Sequence, residues 1–91
     1  GNFLMLVRYA SFHLDSSAEA LLKSLTATDV VVCCGDGVYA FNALRSAFPE
    51  LTVMAMENDC AERGVIVEAI VSSGKLCQLH QQHQQWINIL P

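Results

Sequence analysis

Charge is scarce in this chain of 91 residues: Asp, Glu, Lys and Arg make up 15% of it, against about 25% in an average soluble protein. Cations are the scarcer sign. Arg8, Lys23, Arg45, Arg63 and Lys75 stand scattered, and the formal net charge is −4. Nucleic-acid binding draws much of its affinity from neutralising phosphates with Lys and Arg, so a direct grip on DNA or RNA is not expected. Long hydrophobic runs are missing too; no stretch reaches the roughly 18 apolar residues of a membrane span. The apolar start carries no basic leader and runs into Arg8, so it reads as a strand and not a signal peptide, with Gly1 a cloning remnant. Linkers, internal repeats and low-complexity segments are absent, and residues 1–91 read as one domain. A disulfide framework is not expected either. Cys33, Cys34, Cys60 and Cys77 lie inside apolar strand and helix patterns, which fits free thiols in a reducing cytoplasm.

What the chain has in excess is apolar area. Its 53% of apolar residues is more than a domain of this size hides within itself. Other subunits are therefore expected to cover part of it; whether the isolated chain self-associates as a homo-oligomer in their place is left open by the sequence.

Residues 3–9 (FLMLVRY) read as a buried strand. Ser16 and Glu19 have capping-box spacing, and Ala18, Leu21, Leu22 and Leu25 follow as one apolar helical stripe. Thr26 to Asp29 make a turn into a second strand over residues 30–34, which is apolar on both faces and so suits the middle of a parallel sheet. Asp36 can cap the next helix, with Val38, Phe41, Leu44 and Phe48 inward and Pro49 as its stop. A third strand covers residues 51–56. Asn58 or Asp59 caps a short helix that Gly64 ends. Residues 65–71 form a fourth strand, placed at the sheet edge by its one charge, Glu68. From Ser72 or Ser73 a last helix carries Leu76, Leu79, His83, Trp86 and Ile87 on one side. This alternation specifies an α/β fold: an open parallel sheet of about four strands with helices on both faces.

With the elements placed, the chain resembles the TusB/DsrH family, a branch of the DsrE-like sulfur-relay superfamily. The resemblance rests on LVRY in the first strand, DGVYA after the second, AERG (residues 61–64) after the third, and a final helix reaching His83 and Trp86. It implies a DsrE-like three-layer sandwich and a subunit of a cytoplasmic heterohexamer that passes persulfide sulfur onward. Its partners would be TusC/TusD-like (DsrF/DsrE-like) sister subunits and a TusE/DsrC-like acceptor. The route leads to 2-thiolation of the tRNA wobble uridine in the Tus system and to oxidation of stored sulfur in the Dsr system. The main carrier in such complexes is the TusD/DsrE-type subunit. Some DsrH-type members also carry a cysteine in the first helix, where this chain has Leu21 or a neighbour. That departure favours a structural, docking subunit over a catalytic one.

The candidate residues carry competing readings. Relay needs a thiolate in a favourable field. Cys34 ends the second strand beside the amides that open the next helix, which favours a thiolate, while Asp36 opposes it. Cys77, beside Lys75, is the lesser candidate carrier. Cys33 reads as core packing and Cys60 as a structural thiol in an acidic setting. His80 and His83 lack a carboxylate at helical spacing, so they read as a solvent-facing or interface pair, and no metal is expected. His13 lies in the loop after the first strand without a partner. The Gly35-Asp36-Gly37 turn is an incomplete phosphate loop whose helix N-terminus Asp36 would occupy, so no nucleotide or other cofactor is expected. Asp36, Glu57 and Asp59 should give one sheet edge a negative potential that suits a basic patch of a sister subunit. Asp36, Tyr39 and Trp86 are the interface candidates. Two alternatives stay open beside the docking subunit: a sulfurtransferase subunit with persulfide on Cys34, and a standalone homo-oligomeric module with passive cysteines.

Overall fold

Strands buried on both faces need near-continuous apolar sequence, and the chain supplies three such runs. In the computed structural model, which describes residues 4–14 and 16–91, they become β1 (Met5–Tyr9), β2 (Val30–Cys33) and β3 (Thr52–Met56). Among and after them come α1 (Ser16–Lys23), a 3₁₀ turn at Gly35–Ala40 running into α2 (Phe41–Ala47), and α3 (Glu57–Arg63). The elements β4 (Ile70–Val71), α4 (Ser73–Gln82) and β5 (Gln85–Ile89) complete the fold. Every strand pairing is parallel, in the order β4-β3-β2-β1-β5.

From β1 to β4 the chain steps in one direction, so right-handed crossovers put α1, α2 and α3 on the same face. The return from β4 to β5 puts α4 on the other. The two cores follow this division. Val7, Tyr9, Val31, Cys33, Val53 and Ala55 pack against Ala18 and Leu22 of α1, Phe41 and Leu44 of α2 and Cys60 of α3. On the opposite face Leu6, Val32, Met56 and Val71 meet only Leu79 and, partly, Leu76 of α4. Helices cover both faces, as the alternation requires, but very unequally. Among the described residues no helix is long and apolar enough to cross a membrane.

Four local expectations need correction. The sheet has five strands and not four, because the last helix stops at Gln82 and Trp86 and Ile87 belong to β5. The spacing of Leu79, His83 and Ile87 suits a helix, but Ile87 and Ile89 equally suit a strand, and β1 takes the strand as its outer neighbour. The fourth strand shrinks to two residues: Val65, Val67 and Ala69 pack on the larger core without joining the ladder until Ala69 accepts from the Ala55 N–H at 2.9 Å. It is an edge strand, as Glu68 suggested. Third, neither Asp36 nor Asn58 nor Asp59 caps its own helix, since no side-chain cap bond forms at the 3₁₀ turn or at α3. Fourth, β1 starts at Met5 and not at residue 3, and Phe3 lies outside the described residues. Gly64 does end α3, at φ 65°, and Ser72 does cap α4 by accepting from the Lys75 N–H at 3.2 Å.

The turn before β2 is tied by a buried carboxylate. Asp29 accepts from the Met5 N–H and the Thr26 N–H, both at 2.8 Å, and from the Thr26 hydroxyl at 3.3 Å. It thereby fixes the entry of β1 relative to β2.

Candidate functional site

The carboxyl ends of parallel strands are where an open α/β sheet gathers its functional groups. Here the ends of β1 and β2 meet at one carbonyl. The Tyr9 oxygen accepts the Cys34 N–H at 2.9 Å and, more weakly, the Cys34 Sγ–H at 3.8 Å. Just beyond, Gly37 presses against the same group so closely that a Cβ at position 37 would stand 1.9 Å from the Tyr9 oxygen. The glycine of the DGV string is therefore required by backbone approach and not by its own φ.

Cys34 is half-buried, and its pKa is raised. Burial is the largest cause, Arg8 opposes it by charge and by a hydrogen bond to the thiolate, and Asp59 adds to it. The acid acting on the thiol is thus Asp59, where the sequence pointed to Asp36. The Gly35 N–H, the amide expected to favour a thiolate, donates to Asp59 Oδ2 at 2.9 Å. That carboxylate, and not Asp36, occupies the place a phosphate would need. Arg8 Nε is buried without a hydrogen-bond partner. Arg8 and Cys34 lie on the α4 face of the sheet, a juxtaposition that depends on strand register and has no signal in either local sequence.

The other thiols divide clearly. Cys33 is fully buried in the larger core, and burial, with the nearby Cys34 and Cys60, pushes its pKa up to about 12. Cys60 is buried against the same core and also raised, by burial first and then by Asp59, with Arg63 opposing. Cys77, the lesser candidate carrier, is exposed on α4.

Asp36 and Asp59 do share the sheet edge, but a cation stands between them. Arg63 Nε donates to Asp36 Oδ1 at 2.9 Å, and its Nη1 lies 3.8 Å from Asp59 and 3.4 Å from Glu62. The arginine of AERG therefore ties α3 to the turn after β2 and offsets part of the expected negative potential. Tyr39 is 44% exposed and its ring lies 4.9 Å from that of Phe12, itself 49% exposed and edge-on to His13 at 4.7 Å. Sequence reasoning singled out Tyr39 and His13 but passed over Phe12, which joins them into one open aromatic surface. The Tyr9 hydroxyl donates to the His13 carbonyl and anchors that loop.

Away from this edge, an open apolar groove of about 230 Å³ runs between α3 and the segment before β4, lined by Cys60, Ala61, Val65, Ile66, Val67 and Ile70 among others. Ile66 is 95% exposed at its rim. His80 and His83 do not form a solvent-facing pair. His83 is buried with Nδ1 at 2.6 Å from the Leu79 carbonyl, and His80 stacks edge-on against Trp86. Among the described residues no group of three His, Cys, Asp or Glu side chains is placed to hold a metal ion.

This arrangement offers two chemistries at one edge: a half-buried thiol of raised pKa beside a guanidinium, and an apolar aromatic surface flanked by a mixed-charge cluster. None of the curated proteins compared matches the chain. The family described as DsrH like protein matches residues 11–86, a span that takes in the Phe12 loop, the Cys34 turn, AERG and α4. With most of its length inside that match, this chain belongs to the DsrH-like family of sulfur-relay subunits.

Proposed function

We propose that the chain is a docking subunit of a cytoplasmic sulfur-relay complex, holding sister TusD/TusC-like (DsrE/DsrF-like) subunits that carry persulfide to a TusE/DsrC-like acceptor. The destination in this reading is 2-thiolation of the tRNA wobble uridine. One observation carries it: at the edge where chemistry would occur, the Cys34 thiol is half-buried with its pKa raised by that burial, while the Phe12–Tyr39 surface on the segments after β1 and β2 stands open. A raised thiol pKa slows attack on a donor persulfide, whereas exposed aromatic side chains suit subunit contact. The raised pKa values of Cys33 and Cys60 point the same way.

A second reading places persulfide on Cys34 itself. It is favoured by the buried, unpartnered Arg8 Nε on the same face as that thiol, since a perthiolate there is an anion the guanidinium can accept. Two measurements separate the readings. Co-expression with DsrE/DsrF-like subunits should recover a stable complex that Tyr39→Ala or Phe12→Ala weakens. Intact mass after incubation with a persulfide donor should show no added sulfur. An adduct of one sulfur atom that disappears in Cys34→Ser sinks the docking-only reading.

A further inference from the structure

The sheet ends in two bare edges, and they are built differently. β4 offers only Ile70 and Val71, and the segment leading to it carries Glu68, paired with Arg45 at 2.5 Å. Short length and nearby charge are common protections of an edge strand. β5 lacks both. It runs for five residues, and from Leu76 to Pro91 the sequence holds no Asp, Glu, Lys or Arg.

Its backbone direction is fixed by its bonds to β1. The Gln85 N–H donates to the Leu4 carbonyl at 3.4 Å, and the Ile89 carbonyl accepts from the Ala10 N–H at 2.8 Å. Gln85, Ile87 and Ile89 therefore direct their backbone groups inward, and alternation leaves those of Trp86 and Asn88 pointing away from the sheet. The Trp86 indole is held in place, donating to the His80 and His83 carbonyls at 3.1 Å each, yet the residue is 56% exposed. A rigid, half-exposed tryptophan is an apolar contact already organised for a partner.

We infer that β5 is a homotypic edge, along which two copies of this chain pair antiparallel about a two-fold axis through Ile87 and join their sheets into one. In this register Trp86 lies opposite Asn88 of the second copy, and the converse, exchanging about four backbone hydrogen bonds. The Ile87 side chains meet at the non-hydrogen-bonded position on the axis, on the face that carries Val7. The occupant is a second copy because of charge. A molecule of net charge −4 repels its own copy wherever its acids gather, and along β5 two copies approach through residues 76–91, which carry no charged side chain, with the nearest charge behind the edge being the cationic Arg8 beside Asn88. A basic partner finds no acid there, and an acidic partner no base. The inference is independent of the sulfur-relay reading.

Sedimentation velocity over a concentration series tests it, with Asn88→Pro and Asn88→Thr beside the unaltered chain. Proline removes an N–H that the strand alternation directs away from β1, and threonine keeps it. The unaltered chain and N88T should form a concentration-dependent dimer, and N88P one at least about tenfold weaker with unchanged far-UV circular dichroism. A chain that stays monomeric throughout, or a dimer indifferent to N88P, overturns the inference. Should N88P fail to fold, Ile87→Cys in a Cys77→Ser background decides the matter. The axis position brings the two Cα atoms within about 4.5–5.5 Å, so mild oxidation must give a covalent dimer, and its absence overturns the pairing.

Discussion

Replacing Gly37 with alanine puts a methyl carbon 1.9 Å from the Tyr9 oxygen, 2.8 Å from its carbonyl carbon and 3.0 Å from the Ala10 Cα. All three atoms are backbone, so no rotamer change relieves the contact. The carbonyl that must move is the one holding the Cys34 N–H at 2.9 Å. Losing that bond costs about 1 kcal/mol, and forcing extra volume into a packed site adds about 1–3 kcal/mol. The sum, about 2–4 kcal/mol, is a large share of the roughly 5–10 kcal/mol expected for a small domain. Gly35 supplies the control. Its φ of +53° disfavours alanine, but a Cβ there meets nothing within 4 Å, so Gly35→Ala should cost only about 1–2 kcal/mol of backbone strain. Urea unfolding followed through Trp86, the one tryptophan, reads both. With a slope near 1 kcal/mol per molar, G37A should lower the midpoint by about 2–4 M and G35A by about half as much. Cys34 in folded G37A should also alkylate faster, because its anchor is displaced. G37A at least as stable as G35A would refute the account of this edge.

Asp29→Ala removes the acceptor for two backbone N–H groups and one hydroxyl. It should cost about 2–3 kcal/mol and lower the thermal midpoint by about 10–20 °C, with Asp29→Asn losing less because one carbonyl oxygen remains. The protonated state of Cys33 is favoured in the folded protein, where burial pushes its pKa up to about 12 from the ordinary thiol value of 9.0. The unfolded chain therefore releases this proton first, and stability should fall as pH rises from about 9 toward 12, at up to about 1.4 kcal/mol per unit. Urea midpoints at pH 8 and pH 10 check the slope, which Cys33→Val should flatten. A maleimide time course at neutral pH should label exposed Cys77 first and half-buried Cys34 later, leaving buried Cys33 and Cys60 untouched until unfolding. Early loss of Cys33 would contradict its burial.

Much of this fold is legible wherever the signal is local. The apolar second strand, which ends at Cys33 one residue before the expected Cys34, the left-handed stop at Gly64 and the cap of the last helix, where Ser72 is chosen over Ser73, need only near neighbours in sequence. Trp86 and Ile87 are the instructive misreading. Their spacing satisfies a helix and a strand alike, and the choice falls to β1, which lies 80 positions earlier in register and needs a second neighbour. The site follows the same rule. Cys33 reveals its burial through the apolar run around it, whereas Cys60, set among Glu57, Asp59 and Glu62, does not. Arg8 beside Cys34, Arg63 between Asp36 and Asp59, and Phe12 against Tyr39 are pairings set by strand register and crossover length. Asp36 looked like the local acid because it is near Cys34 in sequence, yet Asp59, reaching the Gly35 N–H across 24 positions, acts on the thiol.

The pairing of Met5 with Gln85 has a temporal side. At about 5–20 residues per second, translation needs roughly 4–16 s to travel from β1 to β5. Throughout that interval β1, among the greasiest segments of the chain, has one flank without a mate. Ribosome-bound intermediates halted before residue 85 should therefore be clients of holdase chaperones, and shortened products should aggregate where the finished protein does not.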